Sequence, residues 1–80
     1  MKMNQLKEAA REMGYEVVEH ETTVYFKSSH ATFVALMQNG RFVRGTKPGG
    51  LRAKTTQFNS VKKLHEAMVE AWKRSQEVAK

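Results

Sequence analysis

The sequence predicts an α+β fold: an antiparallel three- or four-stranded sheet with two helices packed on one face, in the order α-β-β-β-(β)-α. Three observations predict it. Apolar residues recur at helical spacing near both ends of the chain, the spacing between those stripes drops to two, and Asn39-Gly40 stands in the middle of the alternating region.

Leu6, Ala9, Ala10 and Met13 fall at i, i+3, i+4 and i+7, with Met3 extending the stripe backward and Lys7, Glu8, Arg11 and Glu12 turned away. This is an amphipathic helix over about residues 4–13, with Asn4 as its expected cap and Gly14 as the left-handed residue that ends it. From Tyr15 the period is two, and a first strand is expected over about 15–20, with Tyr15 and Val17 on one face. A break near Glu21 leads to a second strand over about 22–27, with Val24 and Phe26 on one face; its β-branched and aromatic residues favour strand over helix.

A third strand spans about 31–38 and a fourth about 41–45, joined by Asn39-Gly40, since a type I′ turn needs positive φ at both central positions. That turn pairs Gln38 with Arg41, Met37 with Phe42, Leu36 with Val43 and Ala35 with Arg44. One face of the hairpin then carries Phe33, Met37 and Phe42, the other Val34, Leu36 and Val43. Residues 46–59 read as a long basic loop opened by Lys47-Pro48-Gly49-Gly50, with room for a short edge strand within 53–58. Val61, Leu64, Met68, Ala71, Trp72 and Val78 mark a second helix over about 60–77, capped by Asn59 or Ser60, with Glu70 and Arg74 as an i, i+4 pair and Trp72 expected in the core.

Eighty residues support one domain, 1–80, with a single core. The absence of cysteine removes disulfides and thiolate metal sites and favours a reducing, cytoplasmic setting. The longest apolar run, Phe33 to Met37, is far too short to cross a bilayer, and no signal peptide opens the chain.

Charge is the most informative feature. Residues 1–40 carry four basic and five acidic side chains, a net −1, whereas residues 41–80 carry ten basic and three acidic ones, a net +7. Between Glu21 and Glu66 there is no carboxylate side chain, yet Lys27, Arg41, Arg44, Lys47, Arg52, Lys54, Lys62 and Lys63 fall in that interval, with His30 and His65 beside them. Such a stretch repels itself unless a polyanion neutralises it, which is the footprint of a nucleic-acid surface. Lys62 and Lys63 sit in the first turn of the second helix, at the positive end of its dipole, where carboxylates would suit folding better. Free backbone N–H groups and two ammonium groups make that turn a phosphate site. Arg52, Lys54, Lys47, Arg44, Arg41 and His30 are the expected extensions of it along a nucleic-acid backbone.

Other chemistry finds little support. The three histidines lack metal-ligand spacing, Ser28, Ser29 and His30 read as a polar strand end, and Pro48-Gly49-Gly50 lacks the lysine and hydroxyl of a P-loop. No cofactor and no metal are expected. Most of the aromatics, Tyr25, Phe26, Phe33 and Phe42 among them, suit a core better than a base-stacking platform.

The order of helix, strands, Asn39-Gly40 hairpin, basic loop and a helix opening Ser60-Val61-Lys62-Lys63 resembles the double-stranded-RNA-binding domain family. Lys62 and Lys63 match the lysines that open that family's second helix, and His30 with Phe33 is similar to its histidine-containing loop and following strand. The resemblance implies lysine contacts to phosphates across the major groove, with the first helix and an early loop on the minor groove. Leu6 to Lys27, running through Gly14-Tyr15-Glu16-Val17-Val18, also resembles HicA-type toxin ribonucleases. Where those carry a glycine-led catalytic histidine, this chain has Glu21-Thr22-Thr23-Val24, with His20 nearby.

The reading reached from the sequence is a small noncatalytic nucleic-acid-binding or regulatory protein. A protein-interaction module of phage or mobile-element type, docking its basic surface on an acidic protein, is one alternative. A HicA-like ribonuclease using His20 or His30 is another.

Overall fold

The alternating region folds into one continuous antiparallel meander in the computed structural model, which describes residues 1–49 and 54–78. Helix α1 (Met3–Glu12) leads into strands β1 (Glu16–His20), β2 (Thr23–Lys27), β3 (Thr32–Gln38), β4 (Arg41–Lys47) and β5 (Thr56–Phe58), and helix α2 (Val61–Val78) follows. The sheet order is β1-β2-β3-β4-β5.

Helix α1 ends as its sequence dictates. Gly14 has φ +88°, the Gly14 N–H donates to the Arg11 carbonyl and the Tyr15 N–H to the Ala10 carbonyl, the paired bonds of a Schellman ending. Its start differs from expectation: Lys2 is the capping residue, its N–H donating to the Gln5 side-chain oxygen at 2.9 Å, so Asn4 lies inside the first turn. Lys7 reaches from this helix to Glu19 of β1, and that hydrogen bond, together with the lysine's charge, holds the Glu19 carboxyl below its usual range.

Val24 pairs with Ala35, Ala35 with Gly45 and Gly45 with Phe58, a row that crosses four strands on the face beneath the helices. Phe26 and Phe33 are paired on the same face. They form one core cluster with Leu6 and Ala10 of α1, Tyr15, and Leu64 and Met68 of α2, so both helices cover a single face. The opposite face carries a second row, Val18, Tyr25, Val34, Thr46 and Gln57, which no helix covers.

The central hairpin holds its expected turn, with φ +52° at Asn39 and +75° at Gly40, and its expected first pairs, Gln38 with Arg41 and Met37 with Phe42. Beyond them the register shifts: Leu36 pairs with Arg44 and Ala35 with Gly45, in place of Val43 and Arg44. Val43 is the extra residue of a bulge and is 44% exposed. The physical reason is the covered face. Unbroken alternation from Phe42 would place Arg44 beneath α2 and desolvate a guanidinium, whereas the bulge puts Gly45 there and sends Arg44 to the open face. Leu64 fills the space a side chain at position 45 would need, with its Cδ2 3.0 Å from where a Cβ would stand.

Two further differences concern the expected basic loop. Strand β4 continues to Lys47, and Thr56–Phe58 pairs with it as a fifth strand, so the loop is shorter than 46–59. Leu51, Arg52 and Ala53 lie outside the described residues, as does the side chain of Val78. Trp72 is half-buried and does not pack on the core cluster, contrary to its expected place. The inward stripe of α2 runs through Leu64, Met68 and Ala71, and the next residue is rotated about 100° from it. Among the described residues no helix is long and apolar enough to cross a membrane.

Candidate functional site

The sheet has two ends, and the predicted cations divide between them. Strand β5 runs antiparallel to β4, ends opposite Gly45 and hands the chain to α2, so α2 begins over the middle of β4, with Leu64 packed on Gly45; Asn39-Gly40 and Arg41 mark one end of the sheet. Lys47, Thr56 and the β2–β3 turn lie at the other end.

Ser60 caps α2. Its Oγ accepts from the Lys63 N–H at 3.2 Å and its carbonyl from the Leu64 N–H at 3.1 Å. This cap fixes the direction of the first turn, which contains no acidic residue, and Lys62 and Lys63 are exposed on it. Arg41 is exposed at the start of β4. Arg44 is exposed on the open sheet face, across from Leu36. Lys54 is exposed beside β5, and Arg52 lies outside the described residues. Among the described residues the ion pairs are Lys7 with Glu19 and Arg74 with Glu70. Lys62, Lys63, Arg41, Arg44, Lys47 and Lys54 therefore have no carboxylate partner within that set.

The second end is built differently. Residues 28–31 form a turn rather than a strand end, and it brings Ser28 and His30 together: Ser28 Oγ lies 3.1 Å from His30 Nδ1, accepts from the Ala31 N–H and donates to the Ala31 carbonyl. His30 Nε2 lies 3.1 Å from the Tyr15 hydroxyl, which donates to the Met68 carbonyl of α2. Both ring nitrogens of His30 are thus engaged inside the chain. Burial pushes the Tyr15 phenol up to about 12. The Tyr15 ring meets His30 and Phe33 edge-on, at centroid distances of 5.1 and 6.0 Å, and Phe58 stands 6.2 Å from Phe33. Lys47 Nζ sits 5.7 Å from the Phe33 ring centroid, within cation–π range. The sequence reading missed Tyr15 and Ser28; the Gly14 helix ending, which aims Tyr15 back beneath α2, is the signal that marks the first of them.

These elements and α2 enclose a groove of about 700 Å³, lined by Phe58, Ala67 and Ala71 with Lys47, Glu70 and Arg74 among the polar residues around it. His20, by contrast, is exposed at the end of β1, on the open face and paired with Thr23. It is separated from His30 by the length of the sheet. Among the described residues no three histidine, aspartate or glutamate side chains gather as metal ligands would. No protein-family model, curated protein or solved structure matches this chain.

Proposed function

We propose that this chain is a small cytoplasmic, noncatalytic nucleic-acid-binding protein that holds phosphates with the first turn of α2. One observation carries the reading: Lys62 and Lys63 stand exposed on a capped helix start with no acidic residue in that turn and no ion-pair partner among the described residues. The helix N–H groups and the two ammonium groups favour an anion together. Arg41 and Arg44 extend the positive surface along β4. Duplex RNA is the first polyanion to try, because the order of helix, sheet and lysine-led helix resembles double-stranded-RNA-binding domains.

The test is a titration against duplex RNA, duplex DNA and single strands at two salt concentrations. With four to six phosphate contacts, log K falls with log salt at a slope of about −4 to −5. Lys62→Glu with Lys63→Glu should weaken binding strongly while thermal stability holds or rises, since acids suit a helix N-terminus. A double variant that binds as the parent does would remove this helix end from the interface. Absence of binding to every nucleic acid at low salt would overturn the reading as a whole.

One observation favours a second reading, an acidic protein partner. The uncovered sheet face presents Val18, Tyr25 and Val34 half-buried in one row, with Lys27 Nζ 5.5 Å from the Tyr25 ring centroid and Arg44 nearby on that face. Aromatic and basic groups around an apolar strip are the usual makeup of a protein-binding surface.

A further inference from the structure

The groove at the far end of the sheet has a composition that the phosphate site on α2 does not explain. Its volume, about 700 Å³, lies in the range of small-molecule sites. Phe58, Ala67 and Ala71 give it an apolar wall and are only half-buried, so that wall is open to solvent. Two cations flank it. Lys47 Nζ is held over the Phe33 ring, and Arg74 projects from α2 with its side chain 79% exposed. The wall itself is firm, because Phe58 leans on Phe33, Phe33 on Tyr15, and Tyr15 is hydrogen-bonded to both His30 and the α2 backbone.

We propose that this groove binds a small, free aromatic molecule carrying one anionic group, its ring against Phe58, Ala67 and Ala71 and its anion held by Lys47 and Arg74. The charge pattern selects that chemistry. An uncharged aromatic would leave Lys47 beside an apolar wall without an anion, and a bare anion would leave the wall wet. A guanidinium and an ammonium lining one apolar slot suit a ring with an acid at its edge. Glu70 opposes it: its carboxylate lies 3.7 Å from Arg74, so the ligand must draw the guanidinium away from a carboxylate that already holds it. This inference does not depend on the nucleic-acid reading, since the cations it uses are Lys47 and Arg74 and not Lys62 and Lys63.

Phenyl phosphate is the probe, with inorganic phosphate and phenol as its two halves, added to the full chain and followed through backbone amide shifts. Phenyl phosphate should bind about tenfold more tightly than either half, with shifts centred on Phe58, Ala67 and Ala71. Lys47→Ala and Arg74→Ala should each weaken it about tenfold. Glu70→Gln should tighten it about threefold by freeing Arg74. The opposite signs expected at neighbouring exposed positions of α2 exclude a general loss of folding as the cause. Equal affinity for phenyl phosphate and inorganic phosphate overturns the proposal, as do shifts centred on Lys62 and Lys63. Failure of Glu70→Gln to tighten binding, with Arg74→Ala also binding as the parent does, overturns it as well.

Discussion

At the start of α2, Lys62 and Lys63 are exposed on a first turn capped by Ser60, with Val61 and Leu64 packed toward the core. At the end of the sheet that carries the β2–β3 turn, Lys47 lies on an aromatic ring, His30 is hydrogen-bonded on both nitrogens, and Arg74 is paired with Glu70. Both regions are cationic, and in the second one cation, Lys47, rests on a ring of the core. The difference teaches what each kind of charge suits. Exposed lysines on a helix start keep their hydration until a polyanion displaces counterions, so they favour extended anions at low specificity. Cations set around an apolar wall are partly positioned beforehand and favour a single small anion.

The largest effect should come from removing what the two ends share. Phe33 is fully buried and touches the rings of Tyr15 and Phe58. Phe33→Ala should cost about 3–5 kcal/mol, a large share of the stability of a domain this size, as read from urea unfolding. Both ends should be lost in one transition. Amides of the α2 first turn that stay protected in this variant while the β2–β3 turn exchanges freely would show two independent units.

Next comes pH, which acts at the groove end alone. The Tyr15 phenol titrates at about 12 in the folded chain against 10.0 as its ordinary value, because burial disfavours the phenolate. The neutral phenol therefore stabilises the fold in full below pH 10, and that contribution is lost as pH rises towards 12. Over two pH units the loss reaches at most about 2–3 kcal/mol. Tyr15→Phe should flatten this part of the alkaline profile; a profile unchanged by the substitution would show that another group governs alkaline unfolding.

A smaller effect separates the helix end. Ser60→Ala removes the oxygen that accepts from the Lys63 N–H and should cost about 1 kcal/mol, with exchange faster only in the first turn of α2. Smallest of all is Glu70→Ala. With both side chains of the pair more than two-thirds exposed, stability should change by about 0.3–0.5 kcal/mol in a thermal scan. A loss several times larger would mean that the groove rim is structural, and would blur the distinction between the two ends.

Much of this architecture was legible from local patterns. Gly14 ends α1 because a Schellman ending needs a left-handed residue, Asn39-Gly40 turns the hairpin because type I′ geometry needs two, and Leu64 and Met68 face inward because their spacing matches the helical repeat. The candidate site was legible as a charge imbalance and as lysines at a helix start. Its division was not. Residues Lys47 and Lys62 belong to one carboxylate-free stretch in sequence, but strand β5 intervenes and puts Lys47 on the sheet beside Thr56 and Lys62 on the first turn of α2.

The sequence by itself determined the class of both helices and of the first four strands, the Asn39-Gly40 turn and the sign of the surface, because helical period, strand period, left-handed turn residues and net charge are properties of neighbours along the chain; β5 became a strand only by pairing with β4. Tertiary structure alone decided the bulge at Val43, the partners of His30 and the place of Trp72. Each depends on which face is covered and how far a helix reaches across it. Arg44 leaves the covered face because α2 would desolvate it there; Gly45 occupies it because Leu64 leaves no room for more. His30 meets Tyr15 only because the β2–β3 turn folds back against the first residue after α1, fifteen positions earlier in the chain.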